Sequence, residues 1–297
     1  MKKDLFKLHL AVALAGMTGI FGKWITLDAI SLVWYRLLIA FLVCGVYFVC
    51  THKRRDFELL EYLKIGGVGA VLAVHWFLFY ASIKLSNVSV GVICLSSTSF
   101  FTAIFAPVLS HKRPSAKEIF FGVSAILGVS LIFSFDSKYR LGIIAGTLCA
   151  AGVSLFNILN KKVGERHSAS TMLLGELSGG FLFACLVVPF YMAFCDLQSF
   201  PVPDLSDALK LFVFAVICTA WIQFLQIQSL QVFSPFMVGL TFCLEPLYSI
   251  LFAAVFFHEF REWSIALVAG LVLIIIPILL QTSEMLKIRR KDDFSKQ

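Results

Sequence analysis

The feature that most limits this chain is a succession of long apolar runs. Roughly 20 apolar residues at 1.5 Å rise are needed for a helix to cross the hydrocarbon core of a bilayer. Ten segments of about that length follow one another, at 8–26, 30–50, 65–83, 88–110, 117–135, 141–160, 171–195, 208–228, 234–257 and 263–282. The polar stretches between them are short, the longest being 51–62, 196–207 and the tail 284–297. Composition closes off a soluble alternative: 59% of the residues are hydrophobic and 14% charged, against roughly 25% charged in soluble domains. With so few polar residues the chain cannot cover a water-exposed surface. It reads as an all-α integral membrane protein with the lipid bilayer as its solvent.

Several function classes fall away. The net charge of +7 lies in short clusters between apolar runs rather than along one face, so nucleic acid is not an expected partner. The eight Cys sit inside or at the rim of apolar runs with no CxxC or Cys/His spacing, which suits packing and no metal. There is no GxxxxGK[ST] loop and no polar segment long enough for a nucleotide-hydrolysing domain. No enzyme activity and no cofactor are expected. Met1-Lys2-Lys3 followed by Ala13-Leu14-Ala15 resembles a signal sequence, but the intervening apolar stretch is about six residues long and the run continues to Ile25. It reads as the first membrane helix.

Lys and Arg placement gives an orientation. With ten spans both termini share one side. Setting them in the cytoplasm puts 18 Lys/Arg inside, leaves Lys84, Lys138, Arg140, Lys210 and Arg261 outside, and keeps Lys23 and Arg36 within spans. A cell (inner) membrane location with both termini cytoplasmic follows as an expectation.

The halves repeat. SFFTAIFAPVLSH (99–111) and PLYSILFAAVFFH (246–258) share Phe105/Phe252, Ala106/Ala253, Val108/Val255 and His111/His258 at a constant offset of 147. Ala15-Gly16-Met17-Thr18 resembles Ala151-Gly152-Val153-Ser154 at offset 136. These matches map helix 1 onto helix 6 and helix 4 onto helix 9. A five-span repeat is odd-numbered, so its second copy enters the membrane from the other side, as in many secondary transporters. The expected plan is ten transmembrane helices as two inverted five-helix repeats, 1–135 and 141–282, joined by 136–140 and followed by a basic cytoplasmic tail at 283–297.

Helix 9 and its exit, GLTFCLEPLYSILFAAVFFHEF (239–260), resemble the last repeat of EamA-type members of the drug/metabolite transporter superfamily, with Glu245-Pro246 in mid-helix and Glu259 after it. Gly16-Met17-Thr18, Gly22-Lys23 and Arg36 are similar to the family's first-repeat pattern. The first repeat departs from the second, with Lys112 in place of Glu259 and Ser99 in place of Pro246. The resemblance implies export of small metabolites such as amino acids. The alternatives are a sugar-phosphate or nucleotide-sugar carrier of the same superfamily and, from another class, a membrane-embedded lipid enzyme, for which no catalytic cluster is visible.

An ionisable side chain in mid-membrane costs at least ~2.5–3.5 kcal/mol, so each one is a candidate for the substrate pathway. Glu245 is the deepest, and Pro246 loosens the helix beside it; a carboxyl there is suited to taking up a proton. Arg36 lies some six residues into helix 2, about 9 Å below the outer surface. Glu176, at a comparable depth in helix 7, is its approximate counterpart of opposite charge, flanked by Gly175 and Gly179 in a spacing that favours close packing. Lys23 serves the pathway, snorkels or pairs with Asp28. His75 is either a packed histidine or a proton relay. Trp76 and Trp221 occupy similar places in helices 3 and 8, as candidate cavity walls. Ser96 and Thr98 stand for a run of hydroxyls of which some face a pathway and others bond back to their own helix. Asn157 and Gln223 add amides, the latter sharing a face with Gln226.

Overall fold

The computed structural model describes residues 2–51, 59–132, 139–245, 247–248, 252 and 265–294. Pro246, Ser249, Phe256 to Trp263, the linker residues 136–138 and the basic residues 53–55 lie outside the described residues. Every element described is helical. In chain order they are α1 (Lys2–Ala15), α2 (Thr18–Trp24), α3 (Ala29–Cys50), α4 (Leu59–Leu85), α5 (Val88–Leu95), α6 (Thr98–Leu109), α7 (Ala116–Ile132), α8 (Arg140–Gly164), α9 (Ala169–Phe194), α10 (Leu205–Ala215), a π-helix (Val216–Trp221), α11 (Ile222–Val232), α12 (Pro235–Phe242) and α13 (Ile265–Phe294). Six stretches among the described residues are long and apolar enough to span a bilayer: Lys3–Trp24, Ala29–Cys50, Leu59–Leu85, Arg140–Gly164, Ala169–Phe194 and Leu205–Val232. The chain is a multi-pass membrane protein.

Polarity is arranged inside out. Phe190 is 78% exposed, and Leu42, Val46, Leu182 and Leu186 are exposed with it, whereas Arg36, His75, Glu176, Gln223 and Glu245 are buried. Apolar side chains face the lipid and polar groups are gathered within, where other helices supply partners. Helix starts are set by side-chain caps: Asp28 accepts from the amides of Ile30 and Ser31, Ser168 from Thr171, Asp204 from Asp207 and Ser234 from Met237, with Pro235 next.

Helix α4 is the hub. Glycines let α8 and α9 close on it, since Gly142 and Gly146 of α8 face Ser82, and Gly179 and Gly180 of α9 face the backbones of Gly66 and Gly69. These contacts leave no room for a Cβ. The small-xxx-small spacing in α9 therefore serves a backbone-to-backbone interface.

The main departure from uniform spans is that, among the described residues, three of them are broken. Helix 1 breaks at Gly16-Met17, helix 4 at Ser96-Ser97, and the helix begun by α12 at Cys243-Leu244. The last two breaks stand 147 residues apart, the offset of the sequence repeat. Each follows an eight-residue helix, Val88–Leu95 or Pro235–Phe242. They also touch: the Cys243 thiol donates to Ser96 O at 3.5 Å and lies 3.7 Å from Ser99 Oγ.

Gly179→Val, which drives a branched side chain into the Gly66 backbone, should cost about 1–3 kcal/mol and lower the thermal midpoint of the detergent-solubilised protein. Gly67→Ala, where a Cβ meets nothing within 4 Å, should be neutral or slightly stabilising, which size-exclusion after graded heating would check.

Candidate functional site

The three breaks converge on one cavity of about 110 Å³, room for on the order of eight water molecules. At each break the residue before it and the residue after it line the cavity: Ala15 and Thr18, Leu95 and Thr98, Phe242 and Glu245. A helix can be interrupted at membrane depth only where protein or a wet cavity satisfies the loosened backbone, so the breaks and the cavity explain each other. The segment of α8 that repeats Gly16-Met17-Thr18 stays helical. There Gly152 packs on His75, Val153 lines the cavity and Ser154 accepts from Thr102.

Arg36 is the best-anchored polar group in the site. Its Nε donates to Thr219 Oγ1 at 2.5 Å, Nη1 to Tyr80 at 3.0 Å and Nη2 to Cys218 O at 2.9 Å. Its guanidinium carbon lies 3.8 Å from the centroid of Trp76 and 4.4 Å from that of Phe214. Two aromatic faces and three acceptors compensate a buried cation that no carboxylate among the described residues contacts directly. Two of the acceptors come from the π-helix, where Thr219 Oγ1 passes its own proton to Phe214 O, five residues back, at 3.1 Å; the third, Tyr80, comes from α4. Such wide turns are frequent at functional sites. The repeat offset also registers it. The Glu61-Tyr62-Leu63-Lys64 and Asp207-Ala208-Leu209-Lys210 segments are 146 residues apart, whereas the ends of α4 and α11, Leu85 and Val232, are 147 apart. One extra residue is absorbed between them.

Glu245 also lines the cavity but is loosely held, its one hydrogen bond among the described residues coming from Thr18 Oγ1 at 3.5 Å. Arg36 and Glu245 share the cavity without an ion pair between them. His75 donates Nδ1–H to Val71 O at 3.0 Å, because a carbonyl can only accept; Nε2 is then the acceptor end of the ring. Asn157 Oδ1 accepts from Gln226 at 2.9 Å on the same wall.

Glu176 lies behind this wall rather than on it. Fully buried, it accepts from Asn160 at 2.6 Å and from Gln223 at 2.8 Å, and so orients Gln223, which does line the cavity. Of the remaining candidates, Trp76 and Thr98 line the cavity, and Ser96 is buried at its helix break without lining it. Lys23 is exposed, and Trp221 is 47% exposed on the outer face of the π-helix, so neither reaches the cavity. Thr18, Tyr80, Cys218 and Thr219 are the site residues that sequence reasoning passed over. A count of the shift from 146 to 147 would have pointed to the last two.

Glu176→Gln turns a donor toward two donors and should lower stability by about 1–3 kcal/mol, whereas Glu245→Gln, with one long contact, should melt near the parent's midpoint. Thermal unfolding of purified protein followed by tryptophan fluorescence separates the two.

The site can be set beside known proteins. The model of the EamA-like transporter family matches residues 4–134 and again 140–282. An uncharacterized transporter, YxxF, of Bacillus subtilis (strain 168) is 23% identical over 264 residues, covering 85% of this chain and 81% of that one. A solved crystal structure, 15% identical, superposes with a TM-score of 0.72 over 93% of this chain and 96% of its own, and so shares the fold. With a family match over nearly all its length and a polar cavity enclosed by broken membrane helices, the chain belongs to the EamA-like transporters of the drug/metabolite superfamily, and it is a secondary transporter and not an enzyme.

Proposed function

We propose that the protein exports small zwitterionic metabolites, amino acids among them, by alternating access between two inverted five-helix repeats. The observation that carries this reading is the central cavity in which the Arg36 guanidinium and the Glu245 carboxyl both line the wall without bonding to each other. A solute bearing a carboxylate and an ammonium satisfies both at once. Trp76, Phe79 and Tyr80 offer an apolar wall to the rest of it. Export, rather than uptake, follows the family resemblance.

The pairing of elements supports an inverted repeat. Helix α4 packs on α8 and α9, and the stretch from α10 to α11 packs on α1 and α3, so each half repeats the other's contacts with the roles exchanged. The mutual contact of the Ser96 and Cys243 breaks supports a two-fold axis in the membrane plane passing between them. A sugar-phosphate carrier would need several cations on the cavity wall; among the described residues Arg36 is the one that lines it.

Glu245 is the coupling residue in this reading, its weak hydrogen bonding leaving it free to exchange a proton against solute. In proteoliposomes loaded with a mixture of radiolabelled amino acids, Glu245→Gln at equal protein abundance should lose movement driven by a pH gradient while retaining exchange. Normal gradient-driven transport by this variant removes Glu245 from coupling. For the orientation, with both termini cytoplasmic in the cell (inner) membrane, an impermeant thiol reagent on intact cells should label a cysteine at Ser199 and not one at Ser168.

A further inference from the structure

We propose that two matched clasps, Glu61 with His167 and Asp207 with Thr26, are the gates at the two mouths of the cavity and open in alternation. The inference rests on the alternating-access reading and assigns it residues. Glu61 and Asp207 open equivalent spans, α4 and α10, and each pairs with the lysine three residues on: Lys64 at 2.6 Å and Lys210 at 3.0 Å. Each also reaches across to the other half. Glu61 Oε2 lies 3.2 Å from His167 Nε2, in the loop immediately before the α9 cap Ser168. Asp207 Oδ2 accepts from the amide of Thr26 at 2.8 Å and from its hydroxyl at 2.7 Å, in the loop before the α3 cap Asp28. The same clasp is thus built twice, in opposite senses, between the first loop of one half and the third span of the other.

The clasps bracket the cavity. Along α8, cavity-lining Asn157 stands seven residues from the helix end at Gly164, about 10 Å from the loop that holds His167. Gln231 ties that loop to α11 through Gly164 O and His167 O, and Lys161 donates to Gln231 O. Toward the other end, Cys218 lines the cavity eleven residues beyond Asp207, about 16 Å along the helix. Lys84 and Lys210 donate to the carbonyls of Ile25 and Trp24 there, holding the Thr26 loop from both sides.

The two ends differ in exposure and polarity, as gates out of step must. Between the cavity and Asp207, Phe21 stacks on Phe214 at 5.0 Å and Tyr80 meets Phe214 edge-on, a dry plug with Asp207 1% exposed above it. Toward His167 the wall carries Asn157, Gln226 and Gln223, with Asn160 and Glu176 hydrogen-bonded behind it, and the Glu61 side chain is 25% exposed. Water that reaches Glu61 weakens its bonds, whereas the buried Asp207 bonds keep their strength. The Asp207 mouth is the firmly shut one here, and the Glu61 mouth is the one poised to open.

The test uses the full-length protein in a cysteine-free background with one reporter, Val153→Cys on the cavity wall, labelled by a small membrane-impermeant methanethiosulfonate from either side of oriented vesicles. Thr26→Val, which removes one Asp207 bond at constant volume, should raise labelling from the Asp207 side and lower it from the other. Glu61→Gln should do the reverse. Each change is expected to be roughly three- to ten-fold, the weight of one hydrogen bond on a closing equilibrium. As a second measurement, oxidative bridging of Glu61→Cys with His167→Cys should confine labelling to the Asp207 side, and reduction should restore it. Elution as a single species controls for folding in every variant. Labelling rates that stay unchanged, or rise from the same side in both single variants, overturn the gates. If the parent transports solute in that case, the gate assignment has failed and transport stands; if the parent moves no solute at all, the transport reading has failed instead.

Discussion

In hydrocarbon an unsatisfied backbone amide or carbonyl costs several kcal/mol, and the rest of this structure follows from that constraint. The constraint makes every described element a helix. It also decides where a helix is allowed to fail. Among the described residues three spans break, and all three do so against the same cavity, at Gly16-Met17, Ser96-Ser97 and Cys243-Leu244. The residue that restarts each span is polar: Thr18, Thr98 or Glu245. A break thus presents a side chain and loosened backbone at one level, which is how an apolar chain with 14% charged residues makes a polar site in its interior.

The cation in that site depends on an irregularity of a different kind. A guanidinium buried without a carboxylate requires acceptors from elsewhere, and a regular helix offers few because its carbonyls are already engaged. The π-helix at Val216–Trp221 supplies Cys218 O and Thr219 Oγ1 together, while Trp76 and Phe214 face the guanidinium plane. Arg36 is thereby fixed at the cavity without a direct carboxylate contact among the described residues. The single extra residue that makes the π-helix also breaks the equality of the halves. The equivalent span α4 is an unbroken α-helix and carries no such site.

The two buried glutamates show how surroundings divide like residues into different tasks. Glu176 has an amide donor on each oxygen and sits at the glycine-lined interface of α9 and α4, where movement would disturb close backbone contacts. It holds Gln223 in place. Glu245 has one long hydrogen bond among the described residues, adjoins a helix break and faces the cavity, so a change of proton or partner there disturbs little packing. Rigidity at the first and latitude at the second are what a carrier requires of its frame and of its exchanging group.

Much of this is written in the chain. The apolar runs dictate a membrane protein of packed helices, because nothing else shields so much apolar surface. The offset of 147 relates two stretches whose helix breaks fall at that separation. Glu245 and Arg36 stand out as charges with no business in lipid. What the sequence leaves open is rotation about each helix axis. Trp76 and Trp221 lie at similar depths in equivalent spans, yet one covers the Arg36 guanidinium and the other faces outward. Lys23 and Thr18 lie five residues apart in one span, and only Thr18 reaches the cavity. In a span that is apolar all round, no stripe of hydrophobic residues marks the inward face, since lipid and protein interior are equally apolar solvents. The inward face is chosen by which backbones can approach, through Gly66, Gly69, Gly179 and Gly180, and by which carbonyls a break or a π-turn makes available. Those are properties of two helices together, and only the tertiary structure decides them.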